Sequence, residues 1–135
     1  MADKITKAIS IGAEVDDQPG VLAEMTSMVA GAGINMIAMA GYGVGGGRAR
    51  VEGVAEDPEK LRNLATMHNV VVTETPVFLV EGEDRPGALV GLTSKLSGAG
   101  INIMACFAAA TGGRYAACIA VRPADFERAA KVLGV

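Results

Sequence analysis

Two short acidic loops carry the residue types in this sequence that are best suited to binding chemistry. Asp17-Gln18-Pro19-Gly20 and Asp84-Arg85-Pro86-Gly87 each precede a stretch with helical periodicity. The first turn of a helix leaves backbone N–H groups unpaired, and its positive dipole end favours a carboxylate. A loop aspartate can accept hydrogen bonds from an ammonium group, and an asparagine can both donate and accept. The pattern therefore offers partners for both ends of a zwitterion such as an amino acid.

The candidate ligand-binding residues form two equivalent sets, each with an aspartate, three residues at a predicted helix start and an asparagine downstream. The sets are Asp17, Gly20, Val21, Leu22 and Asn35, and Asp84, Gly87, Ala88, Leu89 and Asn102. A structural alternative exists for each type: the aspartates as helix N-caps, the Pro-Gly pairs as turn residues, and the asparagines as partners of strand backbone. The sequence leaves both interpretations open.

Catalytic, metal and cofactor chemistry find little support. With His68 as the single histidine, a Ser/His/Asp or Cys/His set is not expected, and no zinc-binding pattern is present. We expect no enzyme activity, no metal and no cofactor. The segment 41–46, Gly-Tyr-Gly-Val-Gly-Gly, matches the dinucleotide-binding glycine pattern. A strand-like segment follows it where that motif requires a helix, so it predicts a hairpin tip.

Two further groups of residues have open interpretations. Cys106 and Cys118 would face each other across a hairpin if Ala110 paired with Arg114, whereas a slip of one residue would separate them. Reduced cysteines buried in the core are the favoured interpretation, with a redox switch or soft-metal site as the alternative. The charged side chains Arg48, Arg50 and Glu52 alternate along one strand, where they could line an interface, meet a ligand carboxylate or simply be solvated.

Composition narrows the class of protein. Half of the 135 residues are hydrophobic and a fifth are charged, which is unlike a disordered chain. The net charge is −3 without a Lys/Arg run, which argues against a nucleic-acid partner. No signal segment and no apolar stretch near 18 residues is present, which predicts a soluble cytoplasmic protein without a membrane partner.

The two acidic loops belong to an internal repeat. A shift of 67 residues superposes Asp17 on Asp84 and Gly31-Ala32-Gly33-Ile34-Asn35 on the identical segment 98–102; between 17–36 and 84–103, 11 of 20 positions are identical. One supersecondary unit has therefore been duplicated. We predict domains at 1–76 and 77–135, the second without a counterpart of the strand at 69–75.

Each copy predicts the element order of a split-βαβ, ferredoxin-like unit. The fold class is α+β: two tandem βαββα(β) units with antiparallel sheets and helices on one face. The alternation places Ile37, Met39, Met104 and Cys106 on the other face, which would be too apolar for solvent and suggests cover by another sheet or subunit. Predicted strands are 5–15, 34–41, 48–55, 69–75, 77–81, 101–110 and 114–121; predicted helices are 21–32, one from Asp57-Pro58, 88–97 and 124–133.

The motif Asp-x-Pro-Gly, then leucine, a helix, and Gly-Ile-Asn entering a strand, resembles the ACT domain, twice over most of the chain. The resemblance implies a ferredoxin-like fold, side-by-side pairing of domains, and small ligands, usually amino acids, at the pair interface. The chain is similar to stand-alone tandem ACT proteins. In serine-binding relatives, two residues hold the ligand: the residue two positions before the proline, and the asparagine. The resemblance maps the former to Asp17 and Asp84 and the latter to Asn35 and Asn102. The position two before the proline is commonly Asn in those relatives and is Asp here.

The expected function is an amino-acid-binding regulatory module without catalytic activity, acting as a homodimer. The alternative is a protein-interaction or regulatory subunit of a metabolic enzyme that binds no metabolite itself. The missing last strand favours this alternative, because it would leave a sheet edge for a partner strand. A small enzyme and a nucleotide-binding signalling protein using Arg48 and Arg50 are weaker alternatives.

Overall fold

The computed structural model describes residues 3–135. The described chain is α+β, as predicted, with six strands and four α-helices. The strand pairings β1–β3, β2–β3, β4–β6 and β5–β6 are all antiparallel. A 3-10 turn, Pro123–Asp125, precedes the last helix. The strands are β1 Lys4–Asp16, β2 Met36–Gly45, β3 Arg48–Ala55, β4 Thr73–Glu83, β5 Ile103–Thr111 and β6 Arg114–Val121; the helices are α1 Val21–Gly31, α2 Pro58–Met67, α3 Val90–Gly98 and α4 Phe126–Leu133.

Two compact units make up the described chain. Unit A comprises residues 9–74, and unit B comprises residues 3–8 together with 75–135. The domain boundary expected between residues 76 and 77 falls inside β4, because the two strands predicted at 69–75 and 77–81 form one strand, Thr73–Glu83. The tandem ferredoxin-like layout with domains 1–76 and 77–135 stays a prediction.

Unit A contains the strand order β2-β3-β1 with α1 and α2. Local sequence signals account for both ends of α2: Asp57 caps it by accepting from the Glu59 and Lys60 N–H groups, and Pro58 occupies the first turn. The β2–β3 hairpin turns through Gly45, Gly46 and Gly47, all with positive φ, as the glycine pattern predicts. The buried residues of unit A are Ser10, Ile11, Gly12, Ala13, Ile34, Gly53, Val54 and Ala55.

Unit B contains the strand order β4-β6-β5 with α3 and α4, and it holds the main hydrophobic core. The rings of Phe78 on β4 and Phe126 on α4 stack with centroids 4.5 Å apart. Leu96 of α3 and Ile119 of β6 are fully buried beside them. The amphipathic helices therefore cover the sheet face that carries Phe78 and its cross-strand partner Ile119.

The strand that the second repeat lacks is replaced from the other end of the chain. Residues 3–8 belong to unit B, Ile5 packs against its core, and β1 is the neighbour of β4 in the strand order. The expectation of an open edge beside β4 is therefore wrong, because β1 occupies that edge and its backbone groups.

Bulges correct the predicted sheet faces. The β2–β3 register shifts between Met36 and Ala38, and the β5–β6 register shifts between Ile103 and Ala105. Each shift inserts one residue and reverses the alternation that follows. Cys106 consequently pairs with Ile119 and lies on the helix-covered side of the sheet, not on the opposite side as predicted.

The favoured interpretation of both cysteines as buried core residues is wrong, and the facing arrangement that the sequence left open as an alternative does not form. Ala110 pairs with Tyr115 and not with Arg114, so Cys118 lies opposite Phe107. The one-residue slip places the two thiols on opposite faces of the sheet. Neither is deeply buried, since Cys106 is exposed and Cys118 half-buried. No helix between residues 3 and 135 is long and apolar enough to cross a membrane.

Candidate functional site

An open groove of about 460 Å³ lies in unit B beside the second acidic loop. One wall is the loop itself, with Asp84, Arg85 and the turn at residues 87–90. The edge strand supplies the opposite side through three consecutive alanines, 108–110. Thr93 of α3 and Tyr115 of β6 complete the lining. The groove therefore combines a small, apolar surface with one carboxylate and one guanidinium at its rim.

Backbone hydrogen bonds hold the second loop in place. The Asp84 N–H donates to the Gly113 carbonyl (3.0 Å), which ties the loop to the β5–β6 hairpin tip. The Ala88 N–H donates to the Arg85 backbone carbonyl (3.1 Å), so the expectation of an unpaired N–H at Ala88 is wrong. The N–H groups of Gly87 and Leu89 find no acceptor among residues 3–135. These two donors remain available to an anion at the start of α3.

The first loop has the same anchoring but a different helix start. The Asp17 N–H donates to Gly47 (2.9 Å) at the tip of its own hairpin. The Val21 N–H donates to Gln18 (3.3 Å) and is likewise not unpaired. Gly20, with φ of 91°, is the N-cap of α1, and no side chain caps that helix. The structural interpretation of Asp17 as an N-cap is therefore wrong, and within the described chain the N–H groups of Gly20 and Leu22 have no acceptor.

The structure does not bring the aspartate and the asparagine of one repeat together. Asp17 lies at the hairpin end of β2, whereas Asn35 precedes the other end; ten strand residues span about 30 Å. The Asn35 amide donates to the Glu56 carboxylate (3.1 Å). Asp84 and Asn102 are separated in the same way along β5. Within one unit, the asparagine cannot share a small ligand with the loop.

Tyr115 is a groove residue that the sequence analysis missed. It is 6% exposed, and its hydroxyl makes no hydrogen bond of good geometry with a described residue. Burial and the neighbouring Asp3 carboxylate raise the pKa of Tyr115 to about 12, while the positive charge of Arg85 acts in the opposite direction. The repeat offered a weak signal: Arg85 replaces Gln18, and Tyr115 pairs with Ala110 where Ala49 pairs with the equivalent Gly43.

We expect Tyr115 to ionise at a pH well above that of a normal tyrosine. In a Tyr42→Phe background Tyr115 is the sole phenol, and its absorbance at 295 nm after rapid pH jumps should show a midpoint near 12. Asp3→Asn should lower the midpoint but leave it above 10, because burial is the larger cause. Since the folded pKa exceeds the unfolded value, stability should fall as pH rises from 10 towards 12. A midpoint near 10 would contradict this environment.

The charged residues of β3 are engaged within unit A. Arg48 contacts Asp16 and Glu14, with 3.1 Å between Arg48 Nε and Glu14 Oε1. Arg50 Nε lies 3.2 Å from Glu52 Oε2. The exposed Arg48 pairs stabilise the fold only slightly, but all of these pairs offset the positive charge of the two arginines. A ligand carboxylate or nucleotide phosphate would have to displace these carboxylates.

No group of three or more His, Cys, Asp or Glu side chains suited to a metal ion occurs in residues 3–135. No protein-family model matches the chain, and no curated protein sequence matches it. Solved structures match it in fold alone, since all those reported below are less than 25% identical in sequence.

Three solved structures illustrate this similarity. The protein BT0572 from Bacteroides thetaiotaomicron has a TM-score of 0.85 at 22% identity, over 96% of this chain and 88% of that one. The regulatory subunit of aspartate kinase from Thermus thermophilus has 0.66 at 17%, over 98% and 94%. The aspartate kinase of Clostridium acetobutylicum has 0.61 at 18%, over 97% of this chain but 33% of that enzyme. This chain therefore shares its overall fold with these solved structures, which include a regulatory subunit of aspartate kinase.

Proposed function

We propose that this protein is a non-catalytic regulatory module that binds an amino acid or a related small zwitterion at an acidic loop. The observation that carries the proposal is the groove of unit B, where the Asp84 carboxylate and the free N–H groups of Gly87 and Leu89 border an apolar floor. A fold shared with regulatory subunits of aspartate kinase supports a regulatory role.

The chemistry of recognition follows from this arrangement. A ligand carboxylate would accept from the unpaired N–H groups at the start of α3, and the ligand ammonium would donate to Asp84. Each charge-assisted hydrogen bond contributes about 1.5–3 kcal/mol. Two or three such bonds together would allow a ligand to bind at about millimolar concentration or below.

Regulation requires that binding change how this chain meets a partner. A coupling free energy of about 1–3 kcal/mol between the ligand and the partner would be enough for this. The ligand would then change the partner's affinity by the same factor by which the partner changes the ligand's affinity. We propose that the partner is a metabolic enzyme or a second copy of the chain in a cytoplasmic homodimer.

The second candidate function is a pure interaction subunit that binds no metabolite. The sheet face of unit B opposite its helices favours it, because Leu79, Cys118 and Phe107 lie together there in cross-strand register, and Phe107 is 39% exposed. Apolar sheet faces of this type are commonly covered by another protein surface. A complex that forms equally well with and without amino acids would favour this candidate.

Calorimetric titration with the twenty amino acids at millimolar concentration tests the proposal. One amino acid, or one chemical class, should bind, and Asp84→Ala should weaken its affinity about tenfold through loss of a charge-assisted hydrogen bond. Glu83→Ala is the matched control, because Glu83 is the exposed acidic neighbour that does not line the groove. Silence across all twenty amino acids would contradict the proposed function.

A further inference from the structure

We propose that the two acidic loops are not equivalent: only unit B binds ligand, with Arg85 holding the ligand carboxylate and alanines 108–110 admitting a short aliphatic side chain. This inference rests on the proposed function and specifies its site, stoichiometry and ligand class. Three differences between the groove residues and their counterparts in the first repeat support it.

The first difference concerns the edge strand beside each aspartate. A Cβ added at Gly43 would lie 2.9 Å from Asp17 Oδ2, so the Asp17 carboxylate occupies space that glycine alone leaves open. The counterpart of Gly43 in the second repeat is Ala110, which lines the groove. A methyl group at this position excludes the Asp84 carboxylate from the corresponding place. The Asp17 carboxylate thus lies against the backbone of its edge strand, and the Asp84 carboxylate cannot take the corresponding place.

The second difference concerns the floor. In unit A, Leu22 Cδ2 lies 3.8 Å from where a Cβ at Gly41 would be, so this leucine lies beside a strand residue that carries no methyl group. The counterparts in unit B are Leu89 and Ala108, and both line the open groove. The methyl groups of Ala108 and Ala110 form the floor there, because side chains alternate along the strand and these two share the face of Ala117 and Tyr115. A surface of methyl groups suits a short aliphatic chain, because it offers burial without any polar partner.

The third difference is the charge at the rim. Gln18 in the first loop is replaced by Arg85 in the second. Arg85 is exposed, lines the groove and forms no ion pair with any residue from 3 to 135, unlike Arg48, which is already paired with Glu14 and Asp16. A guanidinium binds a carboxylate in a two-pronged geometry. The same groove is lined by Tyr115, whose buried hydroxyl lacks a good hydrogen-bond partner.

The test uses the full chain and the amino acids L-alanine, L-valine, L-glutamate and L-lysine. Calorimetry should give one equivalent of L-alanine or L-valine per chain and no saturable binding of the two charged amino acids. Arg85→Gln, which installs the residue of the first loop, should weaken affinity at least tenfold. Gln18→Ala, the matched change in the first loop, should leave affinity within twofold. Amide NMR shifts should map to residues 85–93 and 108–110 and spare 17–23.

Several outcomes separate this inference from the proposed function. Two equivalents per chain, shifts at residues 17–23, or equal losses for Arg85→Gln and Gln18→Ala would overturn the inference and leave amino-acid binding intact. If no amino acid binds, titration with propionate separates the proposed function from the carboxylate site inferred in unit B. Amide shifts at residues 85–93 that disappear in Arg85→Gln would support the carboxylate site and overturn the amino-acid function. Absence of any shift with propionate would overturn both.

Discussion

Replacing Phe78 by alanine should lower the free energy of unfolding by about 3–5 kcal/mol. Phe78 is fully buried in the core of unit B, and its ring stacks on Phe126 at 4.5 Å. Truncation removes the transfer free energy of the ring and leaves a cavity between β4 and α4 that neighbouring side chains cannot fill. Because a small protein is stable by only about 5–15 kcal/mol, this single change should bring unit B close to unfolding.

Urea denaturation followed by circular dichroism measures the effect. Phe107→Ala is the matched control, since Phe107 lies on an edge strand and is 39% exposed. Its loss should be less than half of that for Phe78→Ala, because much of its ring already contacts solvent in the folded state. Similar losses for the two variants would show that the core of unit B is not centred on β4.

Replacing Gly53 by alanine should destabilise unit A by about 2–3 kcal/mol. A Cβ at Gly53 would lie 2.5 Å from the Ala38 carbonyl oxygen and 2.7 Å from Met36 Cε. The nearer atom belongs to the backbone of β2, at the bulge beside Ile37, so it cannot move away as a flexible side chain could. The added methyl group must therefore push β2 away from β3 and disturb the hydrogen bonds between them.

Gly91→Ala is the matched control, and it should act in the opposite direction. Gly91 lies inside α3, and a Cβ there would meet no atom within 4 Å. Alanine should stabilise that helix by about 0.5–1 kcal/mol, because it is a better helix former and reduces the freedom of the unfolded chain. Denaturation midpoints that move in the same direction for both variants would contradict the packing described for Gly53.

Features that depend on neighbouring residues could be predicted from the sequence. The start of α2 follows from Asp57 and Pro58, and the glycine-rich hairpin tip follows from the strand pattern after it. The predicted bounds of β3 and β6 agree with the structure. The duplicated acidic loops share the same anchoring in the structure, since the N–H groups of Asp17 and Asp84 donate to equivalent hairpin glycines.

The candidate site could be predicted only in part. The acidic loop, its glycine and the free donors at the helix start are local features, and the structure places them together in unit B. The asparagines are not with them, because a strand of about 30 Å separates each one from its loop. Arg85 is a single substitution relative to Gln18 in the first repeat. Its position at the groove depends on Ala110 and Tyr115, which are distant in sequence.

By itself, the sequence determined the class of fold, the duplication and the loops that could bind a zwitterion, because each of these depends on periodicity or on residues a few positions apart. The tertiary structure alone decided which strand completes unit B, which side of the sheet Cys106 occupies, and that the second loop borders an open groove. One inserted residue in a strand reverses every side chain after it, and a single methyl group at Ala110 changes where a carboxylate fits. Such long-range contacts follow from packing, which local residue patterns do not encode.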